Sequence, residues 1–164
     1  MSREIIRIHQ HSSEIVVTKC TSSHGNYYEK SSYSEKGMSE IINEFNGYEW
    51  YFERTPYDHT VNLNSDIEGY CKIRIPRFNA SPCDGSPKIS KVFNYAIRAI
   101  DNYKNIWGIN KSNTLNAVHG DYSLEGNILF NRHDVFVIDW EHFHSKIAPL
   151  GFDVLYMIFE LIKM

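Results

Sequence analysis

The sequence predicts an α+β fold, with a small antiparallel sheet in the N-terminal half and helices in the C-terminal half. Two β-branched runs, residues 4–9 and 14–20, flank the polar residues 10–13 and indicate a hairpin. Apolar residues recur at helical spacing over residues 38–53 and again over 89–107. The first half therefore favours strands followed by one helix, and the second half begins with the strongest predicted helix of the chain.

The remaining elements are shorter. Strands are expected at residues 61–63 and 70–75, and apolar and basic side chains alternate in the second, which predicts one buried face. Residues 21–36 are rich in Ser, Tyr, Gly and Lys and are predicted to be a loop. A short hairpin is expected over 128–138, and a core helix is expected from about Asp153.

The chain has 164 residues, enough for one ordinary domain or for two very small lobes around a cleft. Residues 76–88 contain three prolines and an Asp-Gly pair, which is typical of a linker. The predicted division is an N-terminal lobe at 1–77, a hinge or linker at 78–88 and a C-terminal lobe at 89–164.

Composition excludes several classes of partner and location. The net charge is -3 and no basic run occurs, so nucleic acid is not an expected partner. The three cysteines are an odd number without close spacing, which indicates reduced thiols in a cytoplasmic protein. No stretch reaches the ~20 apolar residues that a membrane span requires, and the N-terminus lacks the apolar run of a signal peptide.

The most informative residues lie in the C-terminal third. Asp121 follows a glycine that permits a tight turn after an apolar strand, so its carboxylate can accept a hydrogen bond from an incoming hydroxyl. Asn127 and Asp139 offer the hard oxygen ligands that Mg²⁺ prefers and usually shares with substrate phosphates. A hairpin between them would return both ligands to one end of a small sheet. The set therefore predicts phosphoryl transfer.

This arrangement resembles the aminoglycoside phosphotransferase and choline kinase-like family, a branch of the protein-kinase fold. The resemblance is strong over residues 115–160. It is carried by His119-Gly120-Asp121, Asn127-Ile128-Leu129, Ile138-Asp139-Trp140-Glu141 and Asp153. It implies a protein-kinase-like α+β fold with two abbreviated lobes and a catalytic-loop hairpin in the second. It also implies ATP- and Mg²⁺-dependent phosphorylation of a hydroxyl on a small molecule.

The resemblance implies a role for each residue of the C-terminal motif. Asp121 would be the catalytic carboxylate, and Asn127 and Asp139 would bind Mg²⁺. His119 would be structural and brace the loop. Asp153 would hydrogen-bond the catalytic-loop backbone from the final helix.

In the N-terminal half, the resemblance places the family's phosphate-binding lysine at Lys19 on the second strand. Its ion-pair partner would be Glu44 on the following helix, with Glu40 as the alternative. For Lys19 an ordinary strand-surface lysine is the competing interpretation, and for Glu44 a solvated helix residue. The hinge, near residues 76–80, would meet adenine through backbone groups. The acceptor would be of amino alcohol, sugar or aminoglycoside type, and residues 139–153 resemble members linked to cell-surface polysaccharide.

The sequence departs from the family pattern at three points. Asn127 follows Asp121 by six positions where the family usually has five. The N-terminal half is expected to lack the first strand and the phosphate-covering loop. The chain ends at Met164, so a shortened member is expected. Two alternatives stay open: a catalytically inactive kinase-derived binding module, and an assembly protein that forms a homo-oligomer.

Overall fold

A computed structural model of the chain describes residues 2–9, 14–23, 25–57, 59–65, 69–83, 89–108 and 115–163. These residues form a mixed α+β structure with antiparallel sheets and three α-helices. The predicted hairpin turn at 10–13 and residues 84–88 of the predicted linker lie outside them. Two compact units make up the chain, Met1–Arg77 and Phe78–Met164.

The first unit is a five-stranded antiparallel sheet with one helix. Its elements are β1 (Ser2–His9), β2 (Ile15–Ser22), β3 (Gly25–Ser32), α1 (Glu35–Phe52), β4 (Asn62–Ser65) and β5 (Cys71–Pro76). The strand order is β1-β2-β3-β5-β4. Helix α1 begins after Ser34, whose hydroxyl accepts a hydrogen bond from the backbone N–H of Gly37 at 3.1 Å and so caps the helix.

The core of this unit lies between α1 and one face of the sheet. Ile41, Tyr48 and Tyr51 of α1 are almost completely buried, and α1 packs against β3 and β5. On β5 the alternate residues Ile73 and Ile75 are buried while the residues between them are not. The alternation predicted for this strand is confirmed, because only one of its faces contacts the helix.

Strand β3 is the main correction to the predicted elements, since residues 21–36 were predicted to be a loop. It is an interior strand, hydrogen-bonded to β2 on one side and to β5 on the other. The polar composition of β3 gave no indication of an interior strand. Glu29 is only 3% exposed, but its carboxylate is ion-paired with Arg3, Lys72 and Arg74. A buried charge is tolerated when neighbouring strands supply the opposite charge.

The second unit combines two helices with two small antiparallel sheets. Its elements are β6 (Ser81–Pro82), α2 (Ile89–Trp107), β7 (Asn116–Val118), β8 (Ile128–Phe130), β9 (Val135–Val137), β10 (His144–Ala148) and α3 (Phe152–Lys163). Strand β7 pairs with β10, and β8 lies between β6 and β9. Among the described helices, none has the length and apolar character needed to cross a membrane.

Helix α2 begins and ends where its sequence pattern predicts. Fewer of the residues on its predicted apolar face are buried, however, than the pattern suggests. Tyr103 and Trp107 are buried, together with Ala99. By contrast, Phe93 and Ile97 are 66% and 47% exposed. The contacts of this helix therefore concentrate in its C-terminal half, beside the strands of the same unit.

Candidate functional site

The loop between β7 and β8 carries the predicted catalytic residue Asp121 and the predicted metal ligand Asn127, and Gly120 shapes its first turn. Gly120 has φ +88°, in the left-handed region that favours glycine. A Cβ atom at this position would lie 2.7 Å from both Cβ and the carbonyl oxygen of His142. Two independent features therefore require glycine at position 120: the left-handed backbone angle and the close approach of His142.

Helix α2 contacts the chain on both sides of residues 119–121. The indole N–H of Trp107 donates to the carbonyl oxygen of Ala117 at 2.7 Å, which holds β7. The hydroxyl of Tyr122 donates to the carbonyl oxygen of Ala99 at 2.9 Å and is fully buried. The backbone on either side of residues 119–121 is thus fixed to a rigid element.

Asp153, near the start of α3, holds the loop backbone directly. The N–H of His119 donates to its Oδ2 at 2.9 Å, and the N–H of Gly120 donates to its Oδ1 at 3.0 Å. This is the contact that the family resemblance implies for Asp153. Burial raises the pKa of the Asp153 carboxyl to about 6, although the two hydrogen bonds act to lower it.

His119 connects the loop to the end of β9. Its Nδ1 accepts the backbone N–H of Asp121 at 3.2 Å, so the ring proton is assigned to Nε2, which lies 2.8 Å from the carbonyl oxygen of Ile138. Burial lowers the pKa of the imidazole to about 4. His119 is therefore a neutral, fully enclosed brace at neutral pH, which suits the structural role predicted for it.

Asp121 and Asn127 contact each other. The amide nitrogen of Asn127 donates to Oδ2 and to the carbonyl oxygen of Asp121, both at 2.9 Å. The carbonyl oxygen of Ser123 accepts the N–H groups of Asn127 and Ile128 at 3.1 and 3.0 Å. This turn accommodates the spacing of six positions between Asp121 and Asn127, one more than the family usually has. Because the amide nitrogen is used on Asp121, the amide oxygen of Asn127 is the atom suited to a metal ion.

Asp139 follows β9 and reaches the same end of the β8–β9 hairpin as Asn127. The N–H of Ile138 donates to the carbonyl oxygen of Asn127 at 2.9 Å. Asp139 has φ +66° and ψ +60°, and a short 3₁₀ turn, Trp140–His142, follows it. A left-handed Asp costs about 1–3 kcal/mol and is characteristic of functional sites. The buried ring of Trp140 lies against His119, with centroids 4.5 Å apart, and fixes this turn.

The donor set at the end of the hairpin consists of one amide and one carboxylate. No group of three or more His, Cys, Asp or Glu side chains suited to a metal ion occurs in the described part of the chain. A Mg²⁺ site that shares its ligands with nucleotide phosphates needs only one or two carboxylates from the protein. Asn127 and Asp139 therefore fit Mg²⁺ held together with a nucleotide, and do not form an all-protein metal cage.

The predicted ion pair between Lys19 and Glu44 is wrong. Lys19 Nζ lies 3.6 Å from Oε2 of Glu4, in a largely exposed pair on neighbouring strands. Glu44 Oε2 instead lies 2.8 Å from Nζ of Lys30, and the two side chains are 1% and 13% exposed. Glu40, the alternative partner, is paired with Lys36 at 3.8 Å on the same helix.

Sequence reasoning did not single out Lys30, which lies on the strand that was predicted to be a loop. Two paired strands, β1 and β2, precede that strand in the sheet. In protein kinases the phosphate-binding lysine lies on the third strand and pairs with a helix glutamate. The segment Tyr27-Tyr28-Glu29-Lys30-Ser31-Ser32 has no alternation of apolar and polar residues, so the pattern that marks the other strands is missing here.

The corrected pairing predicts different effects for two lysine substitutions. Lys30→Met should lower the free energy of unfolding by about 3–5 kcal/mol, because it leaves the Glu44 carboxylate buried without its cation. Lys19→Met removes the same charge from an exposed pair and should change it by less than about 1 kcal/mol. Urea unfolding of both variants measures the difference. Equal losses would contradict the assignment of Lys30 to Glu44.

The chain was compared with known proteins. A scan against models of protein families finds no match, and a search of the curated proteins finds none either. Membership of a particular family therefore stays a prediction that rests on the motif residues themselves.

Proposed function

We propose that this protein transfers the γ-phosphoryl group of ATP, with Mg²⁺, to a hydroxyl of a small molecule. The observation that carries the proposal is the contact of Asp121 with Asn127, inside a loop whose backbone Asp153 holds. Phosphoryl transfer needs a carboxylate to orient the hydroxyl and oxygen ligands to hold the metal. A protein-kinase-like fold is part of this proposal, supported by the buried Lys30–Glu44 pair on a strand and a helix.

Each residue then has a defined task. Asp121 accepts the hydrogen bond of the acceptor hydroxyl and orients its oxygen. The amide oxygen of Asn127 and the carboxylate of Asp139 hold Mg²⁺, which when bound neutralises charge on the phosphates. Within the first unit, Lys30, oriented by Glu44, is the candidate phosphate-binding lysine. Lys19, which was first expected in this role, is not part of the proposed site.

The protein accelerates this reaction by positioning. Asp121 is fixed before any substrate binds, because His119 and Asp153 hold the backbone at residues 119–121 and Asn127 holds the carboxylate. Neutral His119 places no positive charge beside the carboxylates. Prepositioned groups lower the barrier because they need no rearrangement in the transition state. The acceptor belongs to the proposal only as a class: an amino alcohol, a sugar or an aminoglycoside, including acceptors linked to cell-surface polysaccharide.

Nucleotide binding is the first test of this function. Calorimetry should show ATP binding that depends on Mg²⁺ and disappears with a chelator. Asp139→Asn should weaken it at least about tenfold, because a charged ligand becomes neutral. Asparagine is the better choice here than alanine, since it tolerates the left-handed backbone at position 139.

The matched control is Asp101→Asn. Asp101 is exposed on α2 and pairs with Lys104 at 3.1 Å, so the same chemical change there should leave binding unaltered. Absence of binding in the wild type would overturn the proposal. It would favour the inactive binding module or the homo-oligomeric assembly protein instead.

A further inference from the structure

Helix α3 has one face packed inside the second unit and one face in solvent. Asp153 and Met157 are four positions apart, so they share a face, and both are completely buried. Asp153 holds the catalytic loop from this inner face. Successive residues of an α-helix are rotated by about 100°, which places Leu155 and Phe159 on the opposite side. These two residues are 58% and 62% exposed.

The outer face of α3 consists of five exposed residues: Phe152, Leu155, Ile158, Phe159 and Ile162. Four of them follow one another at intervals of three, four and three positions, which is the spacing of the seam in a coiled coil. Among the side chains that the structure describes on this face, none carries a charge. A contiguous apolar surface of this kind is characteristic of a site that binds another protein.

The size of the outer face matches what a pair of identical chains needs. Each side chain is roughly half exposed and presents roughly 100 Å², so the face offers about 500 Å² per chain. A pair would bury about 1,000 Å², which is near the lower limit for a specific interface. Each chain carries a net charge of -3, but the outer face is uncharged, so two copies can meet there without placing like charges in contact.

We infer that the outer face of α3 pairs with the same face of a second copy of this chain, in a two-fold symmetric homodimer. A two-fold interface requires a surface that fits itself. A stripe of Phe, Leu and Ile side chains at seam spacing does so, because the side chains of one helix enter the gaps of the other. The inference does not depend on the proposed function, since the outer face lies opposite the residue that holds the catalytic loop.

Analytical ultracentrifugation tests the dimer directly. An interface of this size should give a dissociation constant of about 1–100 μM, so the mass should rise from one chain to two across that range. Phe159→Glu should weaken dimerisation at least about tenfold, because it places a charge in the apolar seam of each chain. Leu155→Gln should weaken it without adding a charge. Both positions are exposed, so the variants should stay folded, which circular dichroism verifies.

The matched control is Phe93→Glu, the same substitution at a residue of α2 that is exposed to a similar extent. It should leave the dissociation constant unchanged, and weakening in the two α3 variants alone supports the inference. A wild type that stays monomeric up to about 300 μM would overturn it and leave a different partner as the occupant of the outer face. A dimer that persists in both folded α3 variants would also overturn it, because that dimer would use another surface.

Discussion

Asp121→Asn is expected to lower phosphoryl transfer by roughly 10²–10⁴-fold, the usual contribution of a positioned acid–base group. The substitution removes the charge that orients the acceptor hydroxyl and hardly changes the size of the side chain. The fold should persist. Asn127 donates to Oδ2 and to the backbone carbonyl of residue 121, and an amide oxygen can still accept the first of these bonds.

The measurement is ADP formation from Mg²⁺-ATP, first with water and then with a panel of amino alcohols, sugars and aminoglycosides. Glu125→Gln is the matched control, because Glu125 is an exposed residue of the same loop and loses the same charge. Circular dichroism and the unfolding midpoint show whether the variant is folded. Turnover near the wild-type rate in folded Asp121→Asn would refute the role of Asp121.

Asp153→Ala is expected to lower the free energy of unfolding by about 2–6 kcal/mol. Its carboxylate is completely buried and accepts the N–H groups of His119 and Gly120. Each buried donor left without an acceptor costs about 1–3 kcal/mol, so the two together account for the estimate. Urea unfolding measures the loss, and Asp101→Ala, at an exposed position, should stay within about 0.5 kcal/mol of the wild type.

The same residue is expected to shape the pH dependence of stability. Burial raises the pKa of Asp153 to about 6. Its stabilising contribution to the free energy of unfolding is therefore present below about pH 4 and is lost as the pH rises to 6. Burial lowers the pKa of His119 to about 4. Its stabilising contribution to the free energy of unfolding is therefore present above about pH 6.5 and is lost as the pH falls to 4. Each shift of about two units corresponds to roughly 3 kcal/mol, and the two effects oppose each other.

Asp153→Asn isolates the histidine effect, since asparagine does not titrate and keeps one acceptor oxygen. Asp153 is not among the groups that set the pKa of His119, so that pKa should persist in the variant. As the pH is lowered from 6.5 to 4, the free energy of unfolding of the variant should therefore fall by roughly 3 kcal/mol more than that of the wild type. Denaturant unfolding at both values tests this. Parallel pH profiles for the two proteins would show that Asp153 does not titrate in this range.

The candidate site was predictable to the extent that its residues are close in sequence. Asp121 and Asn127 are six positions apart, and the hairpin that follows returns Asp139 to the same end. The contact of Trp107 with the carbonyl oxygen of Ala117 was not predictable, because only the packing of α2 beside β7 brings the two residues together.

The sequence by itself determined the helix at Ile89–Trp107, the β8–β9 hairpin and the loop motif that ends at Asp139. In these, apolar periodicity and turn residues act locally, so the pattern and the structure agree. Only the tertiary structure decided that residues 25–32 form an interior strand and that Lys30 belongs to Glu44. A prediction from sequence patterns treats charged residues as exposed to solvent. That rule fails when a distant strand or helix supplies the opposite charge, as Arg74 does for Glu29.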